Sequence, residues 1–341
     1  MHDLDWPRAW GGPLPRGVMR ATPGDFQVRE QLNFTPDRAG VHVLVKIRKR
    51  GVNTEWVARR LAALAGVKRH AIGYAGLKDR HAVTDQWFSV DLSGREEPGW
   101  RRLESEEITV LEVTRHTRKL RQGAVAANAF QVTLRGVTGD TGTLEARLQC
   151  IADEGVPNYF GEQRFGRDNL ERARAMFRGE IKVRDRFKRG IYLSAARALL
   201  FNRVLARRVE AGAWNRILPG DALILHGSNS FFVCEEKDAL QERLQIGDIH
   251  PSGPLWGRGE LPCKGDAAAL ENTALAGDGL WRKGLEEAGL KQQRRSLRVI
   301  PREMTWHMPS AQVLRMRFIL PAGSYATAVL REVVAAGSGA L

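Results

Sequence analysis

The chain has 341 residues, 43% of them hydrophobic, which indicates a globular protein with one large domain or two ordinary ones. Lys and Arg number 53 against 39 Asp and Glu, so the formal net charge is +14 and a polyanionic partner, above all nucleic acid, is expected. No run approaches the roughly 18 apolar residues of a membrane span, and residues 1–7 lack the pattern of a signal peptide, so we expect a cytoplasmic protein without membrane contact.

In the first half of the chain, apolar residues alternate with polar ones from Val41 to Ile47, which predicts a strand. A helix is predicted next, because Val57, Leu61 and Leu64 recur at helical spacing before Gly66. Further strands are predicted at residues 86–92, 108–113 and 130–134. The first 150 residues therefore indicate an α+β fold with an antiparallel sheet.

After about residue 155 the sequence becomes turn-rich, and helical patterns then predominate at 170–177 and 194–211. In the second helix we expect Arg203, Arg207 and Arg208 to lie on or near the polar face.

Strand patterns return at the end of the chain. Leu297 and Val299 are predicted to form a hairpin with residues 312–320, and Ser324 is predicted to cap a last helix. We infer that the last 40 residues complete the first sheet. The predicted domains are accordingly residues 1–154 plus 304–341, interrupted by an inserted domain at 155–303.

The three cysteines are widely separated and form no C-x-x-C pair, which argues against a disulfide framework and a cysteine zinc site. The sequence contains neither H-E-x-x-H nor the phosphate-binding motif G-x-x-x-x-G-K-[ST]. We therefore expect no metal and no nucleotide cofactor.

One polar segment, residues 74–86, has the features of a catalytic loop. Asp79 stands between Lys78 and Arg80, and an ionised carboxylate can act as nucleophile or base. The strand pattern that follows indicates a loop anchored to a sheet. Two other interpretations remain: an ordinary solvated loop, and a metal nuclease that pairs Asp79 with Asp85.

Three basic clusters, at residues 115–121, 184–189 and 291–298, are dense enough to follow a phosphate backbone. Four further residues, Phe26, Asn128, Phe130 and Tyr325, lie in turn-rich segments. An enzyme that acts on a base needs aromatic walls and an amide of this kind, although each residue alone is also compatible with a structural role.

Five motifs in order resemble the TruD family, tRNA pseudouridine synthase D, over essentially the whole chain. They are TPGDFQV at 22–28, AGLKDRHAVT at 75–84, NAF at 128–130, GVPNYFGEQRFG at 155–166 and LPAGSYAT at 320–327. Position 325 can be Phe in relatives and is Tyr here. The resemblance implies a pseudouridine synthase catalytic domain with a mixed, mainly antiparallel sheet, interrupted by an α/β insertion specific to the family.

The resemblance also implies an activity: isomerisation of uridine 13 of tRNA, chiefly the glutamate tRNA, to pseudouridine, without a cofactor. By resemblance Asp79 is the catalytic residue, Phe26, Asn128 and Tyr325 line the uridine pocket, and Phe130 packs against the base. We count Arg20, Lys78 and Arg80 among the substrate-binding candidates.

Neighbouring residues of an extended segment point to opposite sides, so the cation that pairs with Asp79 can be distant in sequence, and Arg20 is one candidate. Because a strongly basic surface repels its own copy, we expect a monomer. The alternative from another class is a non-catalytic RNA-binding or RNA-folding module on the same scaffold.

Overall fold

The computed structural model describes residues 5–12 and 15–336, which divide into two compact units. The sheet unit contains Pro15–Asp140, Pro301–Gly323 and residues 334–336. The helical unit contains residues 5–12, Thr141–Ile300 and Ser324–Val333.

These boundaries differ from those of the predicted domains, because residues 141–154 and 324–333 pack with the helical unit. The division at 154/155 and 303/304 stays a prediction, and its residues 1–4, 13, 14 and 337–341 lie outside the described part of the chain.

The strands are β1 (Arg16–Met19), β2 (Phe26–Leu32), β3 (His42–Arg50), β4 (Ile72–Gly73), β5 (Val83–Asp91), β6 (Ile108–His116), β7 (Val125–Thr138), β8 (Val156–Pro157), β9 (Ala222–Leu225), β10 (Phe231–Val233), β11 (Ile249–Leu255), β12 (Gln293–Ser296), β13 (Arg298–Val299), β14 (Arg302–Ser310), β15 (Val313–Pro321) and β16 (Ala335–Ala336). The helices are α1 (Thr54–Leu64), α2 (Thr141–Glu154), α3 (Glu162–Phe165), α4 (Asn169–Phe177), α5 (Arg186–Glu210), α6 (Gln241–Gln245), α7 (Gly265–Ala274), α8 (Gly279–Glu287) and α9 (Ala326–Val333). Within residues 5–12 and 15–336, none of these helices has the length and apolar character needed to cross a membrane.

The sheet unit is built on one mixed sheet with the strand order β14-β15-β7-β2-β5-β3-β6. Neighbours in this order are antiparallel except for β2 and β5, which are parallel. Outside this order, β1 pairs antiparallel with β7 and parallel with β16, and β4 pairs antiparallel with β5. The prediction of an α+β fold with a mixed, mainly antiparallel sheet is therefore confirmed. The strand expected around Val43 and the helix expected around Leu61 are also confirmed, as β3 and α1.

One face of this sheet is apolar at one end and polar at the other. Under α1 the face is formed by buried residues such as Val45 and Phe88. Strand register carries the same face onto β2 and β7, where Val28 lies opposite Phe130 and Glu30 lies opposite Asn128. The helix therefore covers one part of the face, and the remainder carries the residues that the sequence singles out.

Helix α5 forms the centre of the helical unit, and Leu200 and Val204 are fully buried in its core. It begins eight residues before the predicted start, because the Asp185 carboxylate accepts hydrogen bonds from the backbone of Phe187 and Lys188. Its charged first turns lack the apolar period that marks a helix in sequence.

Arg208 does not lie on the polar face of α5, so that expectation was wrong. Its side chain is fully buried, and Nη1 donates to Asp221 Oδ2 at 3.1 Å. Spacing along a helix does not reveal a buried carboxylate that belongs to a later segment of the chain.

The predicted hairpin was correct for its second strand and wrong for the partner of that strand. Residues 313–321 do form a strand, but its partner is β14, with Trp306 opposite Met316. Val299 instead pairs with Val156 in the helical unit. Strand β14 does alternate in sequence, with partly buried Met304, Trp306 and Met308 between exposed polar residues, so its pattern was a signal that the prediction missed. Strands β14 and β15 join the first sheet as expected, whereas α9 packs with the helical unit.

The Arg208–Asp221 pair gives a prediction about stability. Asp221→Asn keeps the shape of the side chain but leaves a buried guanidinium without its counter-charge. We expect the free energy of unfolding to fall by about 3–5 kcal/mol, measured by guanidinium denaturation. Asp248→Asn is the matched control, because the Asp248–Arg243 pair is more than 40% exposed and should change stability by less than about 1 kcal/mol. Equal losses in the two variants would contradict the prediction.

Candidate active site

Asp79 lies in the loop between β4 and β5, with its side chain partly open to solvent. Its Oδ2 lies 2.9 Å from Nη1 of Arg20, and its Oδ1 accepts a hydrogen bond from the backbone N–H of His81 at 2.9 Å. The structure thus places beside Asp79 the distant cation that the sequence analysis named as a candidate. One edge of the carboxylate is held by charge, and the 23% exposed side chain remains accessible to a ligand.

Arg20 is itself held in place from a second side. It directly follows β1 and adopts a left-handed backbone conformation with φ of +59°, which non-glycine residues rarely adopt. Its guanidinium carbon lies 4.4 Å from the ring centroid of Phe26, a favourable cation–π distance. The backbone turn and the aromatic ring together aim the guanidinium at Asp79.

Three interior side chains fix the backbone of the Asp79 loop. Thr54 Oγ1 accepts a hydrogen bond from the Lys78 backbone N–H at 3.0 Å, and Gln86 Nε2 donates to the Gly76 carbonyl at 2.7 Å. Lys49 Nζ donates to the carbonyl of Asp79 at 2.9 Å. These bonds anchor the loop to α1, β5 and β3, so the position of the carboxylate is set by the sheet and its covering helix.

Lys49 is an unusual group for this position, because its side chain continues the apolar face of β3 and is fully buried. Burial lowers the pKa of Lys49 to about 8, and the nearby charge of Asp79 acts against that shift. A fully buried ammonium group therefore lies directly beneath the Asp79 loop.

Lys78 points away from Asp79. Its Nζ lies 2.5 Å from Asn128 Oδ1 and 3.2 Å from Glu30 Oε1. Glu30 is also buried and accepts a hydrogen bond from the Trp87 backbone N–H at 2.9 Å. Burial raises the pKa of Glu30, and the Lys78 ammonium opposes that rise. Arg80 is exposed. In the described chain, the ion pair of Asp79 is with Arg20 and with neither of the flanking cations.

Phe26, Asn128 and Phe130 all lie on the face of the sheet that carries this network. The Phe130 ring is half-buried, with its centroid 5.4 Å from that of Phe318 in a stacked arrangement and 6.0 Å from that of Phe26. Phe26 is only 5% exposed. Phe130 therefore has more surface to offer a flat ligand, whereas Phe26 mainly supports Arg20 and Phe130.

Tyr325 lies in the helical unit, immediately before α9. Its hydroxyl oxygen accepts a hydrogen bond from Arg164 Nη2 at 2.6 Å, and its ring centroid lies 6.0 Å from that of Phe160. The hydroxyl, which a Phe at this position would lack, thus has a partner. The predicted place of Tyr325 in a uridine pocket stays a prediction.

The sequence analysis did not identify four residues of this site: Glu30, Lys49, Thr54 and Gln86. A signal was present for two of them: Glu30 follows Phe26 and Val28 at the period of a buried face, and Lys49 follows Ile47 in the same way. A charged residue at an apolar position in a strand indicates either a buried partner or a functional site.

Asp85 does not support the nuclease interpretation. Both of its oxygens accept hydrogen bonds from Arg48, at 2.7 and 2.9 Å, and Arg29 lies 3.7 Å away. These arginines occupy the opposite face of the sheet from Glu30 and Lys49. In residues 5–12 and 15–336, no group of three or more His, Cys, Asp or Glu side chains is arranged to hold a metal ion.

The family model described as tRNA pseudouridine synthase D (TruD) matches residues 10–183 and 177–333 of this chain. The chain belongs to the TruD family. It is 54% identical to the tRNA pseudouridine synthase D of Nitrosococcus oceani, with 96% of this chain and 93% of the relative covered. Identity to the Methylococcus capsulatus protein of the same name is 52%, with 97% and 94% covered.

A crystal structure of a TruD protein from Methanosarcina mazei superimposes with a TM-score of 0.73 over 97% of this chain and 94% of that chain. At 22% identity, this similarity concerns the fold alone. The mixed α+β architecture is therefore the TruD fold.

The buried ammonium beneath the Asp79 loop predicts a specific pH dependence of stability. The folded pKa of Lys49, about 8, lies below the ordinary value of 10.5, so between these pH values the unfolded chain holds a proton that the folded chain lacks. The free energy of unfolding contributed by this group consequently rises as the pH increases from 8 toward 10.5.

In Lys49→Met this contribution is absent. We expect the wild type to gain stability relative to Lys49→Met as the pH rises from 7 to 10, measured by urea denaturation at each pH. Lys46→Met is the control, because Lys46 lies on the opposite face of the same strand. Parallel pH profiles for the wild type and Lys49→Met would contradict the prediction.

Proposed function

We propose that this protein isomerises uridine 13 of tRNA, chiefly the glutamate tRNA, to pseudouridine, with Asp79 as nucleophile or base and without a cofactor. The observation that carries the proposal is the ion pair of Asp79 with Arg20 on a loop fixed to the sheet. The names and high identities of the TruD relatives support the reaction class. The position in the tRNA and the choice of tRNA follow from resemblance to the family. A monomeric state and a cytoplasmic location belong to the same proposal.

The reaction is an isomerisation, so atoms and electrons balance within the substrate. The bond between N1 and C1′ breaks, the uracil turns, and C5 bonds to C1′ while the C5 proton is lost and N1 gains one. A carboxylate can take part in either of two ways: by attack on C1′ to form an ester that is later displaced, or by removal of the C2′ proton to give a glycal. Both routes require Asp79 as a charged carboxylate.

Arg20 would hold that charge in the right place. Its side chain is 10% exposed, so the ion pair lies at a largely desolvated position where opposite charges interact more strongly than in water. Because Phe26 and the backbone turn already restrain the guanidinium, little reorganisation would be needed when the substrate arrives.

Asn128 would read the edge of the base. Its Oδ1 already accepts a hydrogen bond from Lys78, which leaves the amide N–H groups to donate to a carbonyl oxygen of uracil. Lys78 would then act by orienting Asn128, together with Glu30. The half-buried ring of Phe130 would stack on the base, and such stacking, worth about 1–3 kcal/mol, would offset part of the cost of flipping it out.

The central test uses unmodified glutamate tRNA and purified protein, with pseudouridine mapped by carbodiimide-blocked primer extension. We expect a block at position 13 with the wild type. Asp79→Asn should give none, because an amide is neither a nucleophile nor a base here. If Asp79→Asn modified the tRNA fully, or the wild type modified nothing, the proposal would fail. A non-catalytic RNA-binding module predicts instead that tRNA binding persists without modification by the wild type.

Arg20 gives a graded test of the electrostatic argument. We expect Arg20→Met to lower kcat by about 100-fold, because it removes the cation 2.9 Å from the carboxylate. Arg20→Lys, which restores the charge without the planar guanidinium, should recover part of the loss. Single-turnover modification rates measure both effects.

Arg48→Met is the matched control for Arg20. It removes an arginine that pairs with a carboxylate on the opposite face of the same sheet, and its kcat should stay within about threefold of the wild type. Equal losses in Arg20→Met and Arg48→Met would show that the effect is one of folding, and would contradict the assigned role of Arg20.

A further inference from the structure

Two arginines of the helical unit, Arg164 and Arg295, have only neutral partners. Arg164 on α3 donates through Nη2 to the Tyr325 hydroxyl at 2.6 Å and through Nη1 to the Ser194 hydroxyl at 3.1 Å. Arg295 on β12 donates through Nη2 to Asn158 Oδ1 at 2.8 Å. Among residues 5–12 and 15–336, neither guanidinium makes an ion pair with a carboxylate.

The two arginines share one aromatic platform. The guanidinium carbon of Arg295 lies 4.1 Å from the ring centroid of Phe160, and that of Arg164 lies 5.7 Å from the same centroid. Two like charges therefore lie against one ring. Burial lowers the pKa of Arg295 to about 10, and the Arg164 charge adds to the shift.

Arg295 also has an unused donor. Its Nε is inaccessible to solvent and has no hydrogen-bond partner in the described residues. The Nε of Arg208 is unpaired as well, so what sets Arg295 apart is the combination of an open donor with a second arginine against the same ring.

Neighbouring arginines show what a purely structural role looks like in this unit. Arg294, the residue before Arg295, is buried and donates to both oxygens of Glu271, and Arg208 is buried against Asp221. A carboxylate is not always present, since buried Arg298 donates only to His250 and to backbone carbonyls. Arg164 and Arg295 differ from Arg298 because both lie against one ring, and an anion from outside the protein chain would compensate both charges at once.

We propose that Arg164 and Arg295, with the Ser194 hydroxyl, form a binding site for one backbone phosphate of the RNA substrate. Guanidinium groups match the oxygens of a phosphate in geometry as well as charge, and hydroxyls complete such sites. The inference rests on the proposed function, in which the substrate is tRNA.

The test measures the affinity for unmodified tRNA at several salt concentrations, which needs no catalysis. We expect Arg164→Gln to weaken binding about tenfold at low salt and to reduce the slope of log affinity against log salt by about 0.7–0.9, the contribution of one phosphate. Arg164→Lys should retain the slope, because it retains the charge. If Arg295→Met folds, it should weaken binding and reduce the slope as Arg164→Gln does. If it does not fold, the test rests on Arg164→Gln alone.

Arg172→Gln is the matched control, since it removes one exposed arginine of the same unit that pairs with Asp168. Its slope should equal that of the wild type. An Arg164→Gln slope that also equals the wild-type slope would overturn the inference.

A second arm separates RNA from free phosphate, which offers the same chemistry. In this arm the Tm is measured with and without millimolar inorganic phosphate. If phosphate raised the Tm of the wild type but not of Arg164→Gln, and the salt slope for tRNA were the same in both proteins, the site would belong to free phosphate. That result would overturn the RNA assignment.

Failure of this inference can be told apart from failure of the proposed function. Normal pseudouridine formation together with an unchanged slope in Arg164→Gln would contradict the phosphate site and leave the proposed function standing. A reduced slope in Arg164→Gln, together with no pseudouridine formed by the wild type, would contradict the catalytic proposal and support the phosphate site.

Discussion

The ion pair between Arg20 and Asp79 joins the segment after β1 to the loop before β5, and the surrounding structure keeps both charges in place. A carboxylate and a guanidinium that are largely removed from water interact strongly only if their geometry is fixed, because each has lost solvation. Phe26 restrains the cation, and Lys49 restrains the backbone that carries the anion. The sheet therefore supplies the rigidity on which the chemistry of a single carboxylate would depend.

A second network of buried charged groups lies next to this pair on the same face of the sheet. Glu30, Lys78 and Asn128 lie on the polar part of the face, in register across β2 and β7. Burial works against ionisation of the Glu30 carboxyl, and the neighbouring ammonium works in its favour. With Lys78 occupied in this way, Arg20 is the cation left to pair with Asp79, which explains why the immediate neighbours of Asp79 in sequence are not its electrostatic partners.

Sequence patterns predicted those elements whose burial is one-sided, such as β3 and α1, because alternation and helical period record a single apolar face. The predictions missed β14, although Met304, Trp306 and Met308 alternate with polar residues there, and they missed the start of α5, where an Asp185 cap precedes charged turns. Motifs located Asp79, but only the folded sheet brings Arg20 to it.

The net charge of +14 was the first indication of a nucleic-acid partner, and the structure divides that charge into two kinds. Arg208 and Arg294 are buried against carboxylates, so they contribute to the count without facing a ligand. In the basic cluster at 291–298, Arg294 and Arg298 are buried, so its predicted role in following a phosphate backbone concerns its exposed and half-buried members, Lys291 and Arg295. Arg164 and Arg295 differ from the buried arginines because they lie against one ring and donate only to neutral groups. Two arginines that share a ring without a carboxylate indicate a ligand more directly than the density of positive charge does.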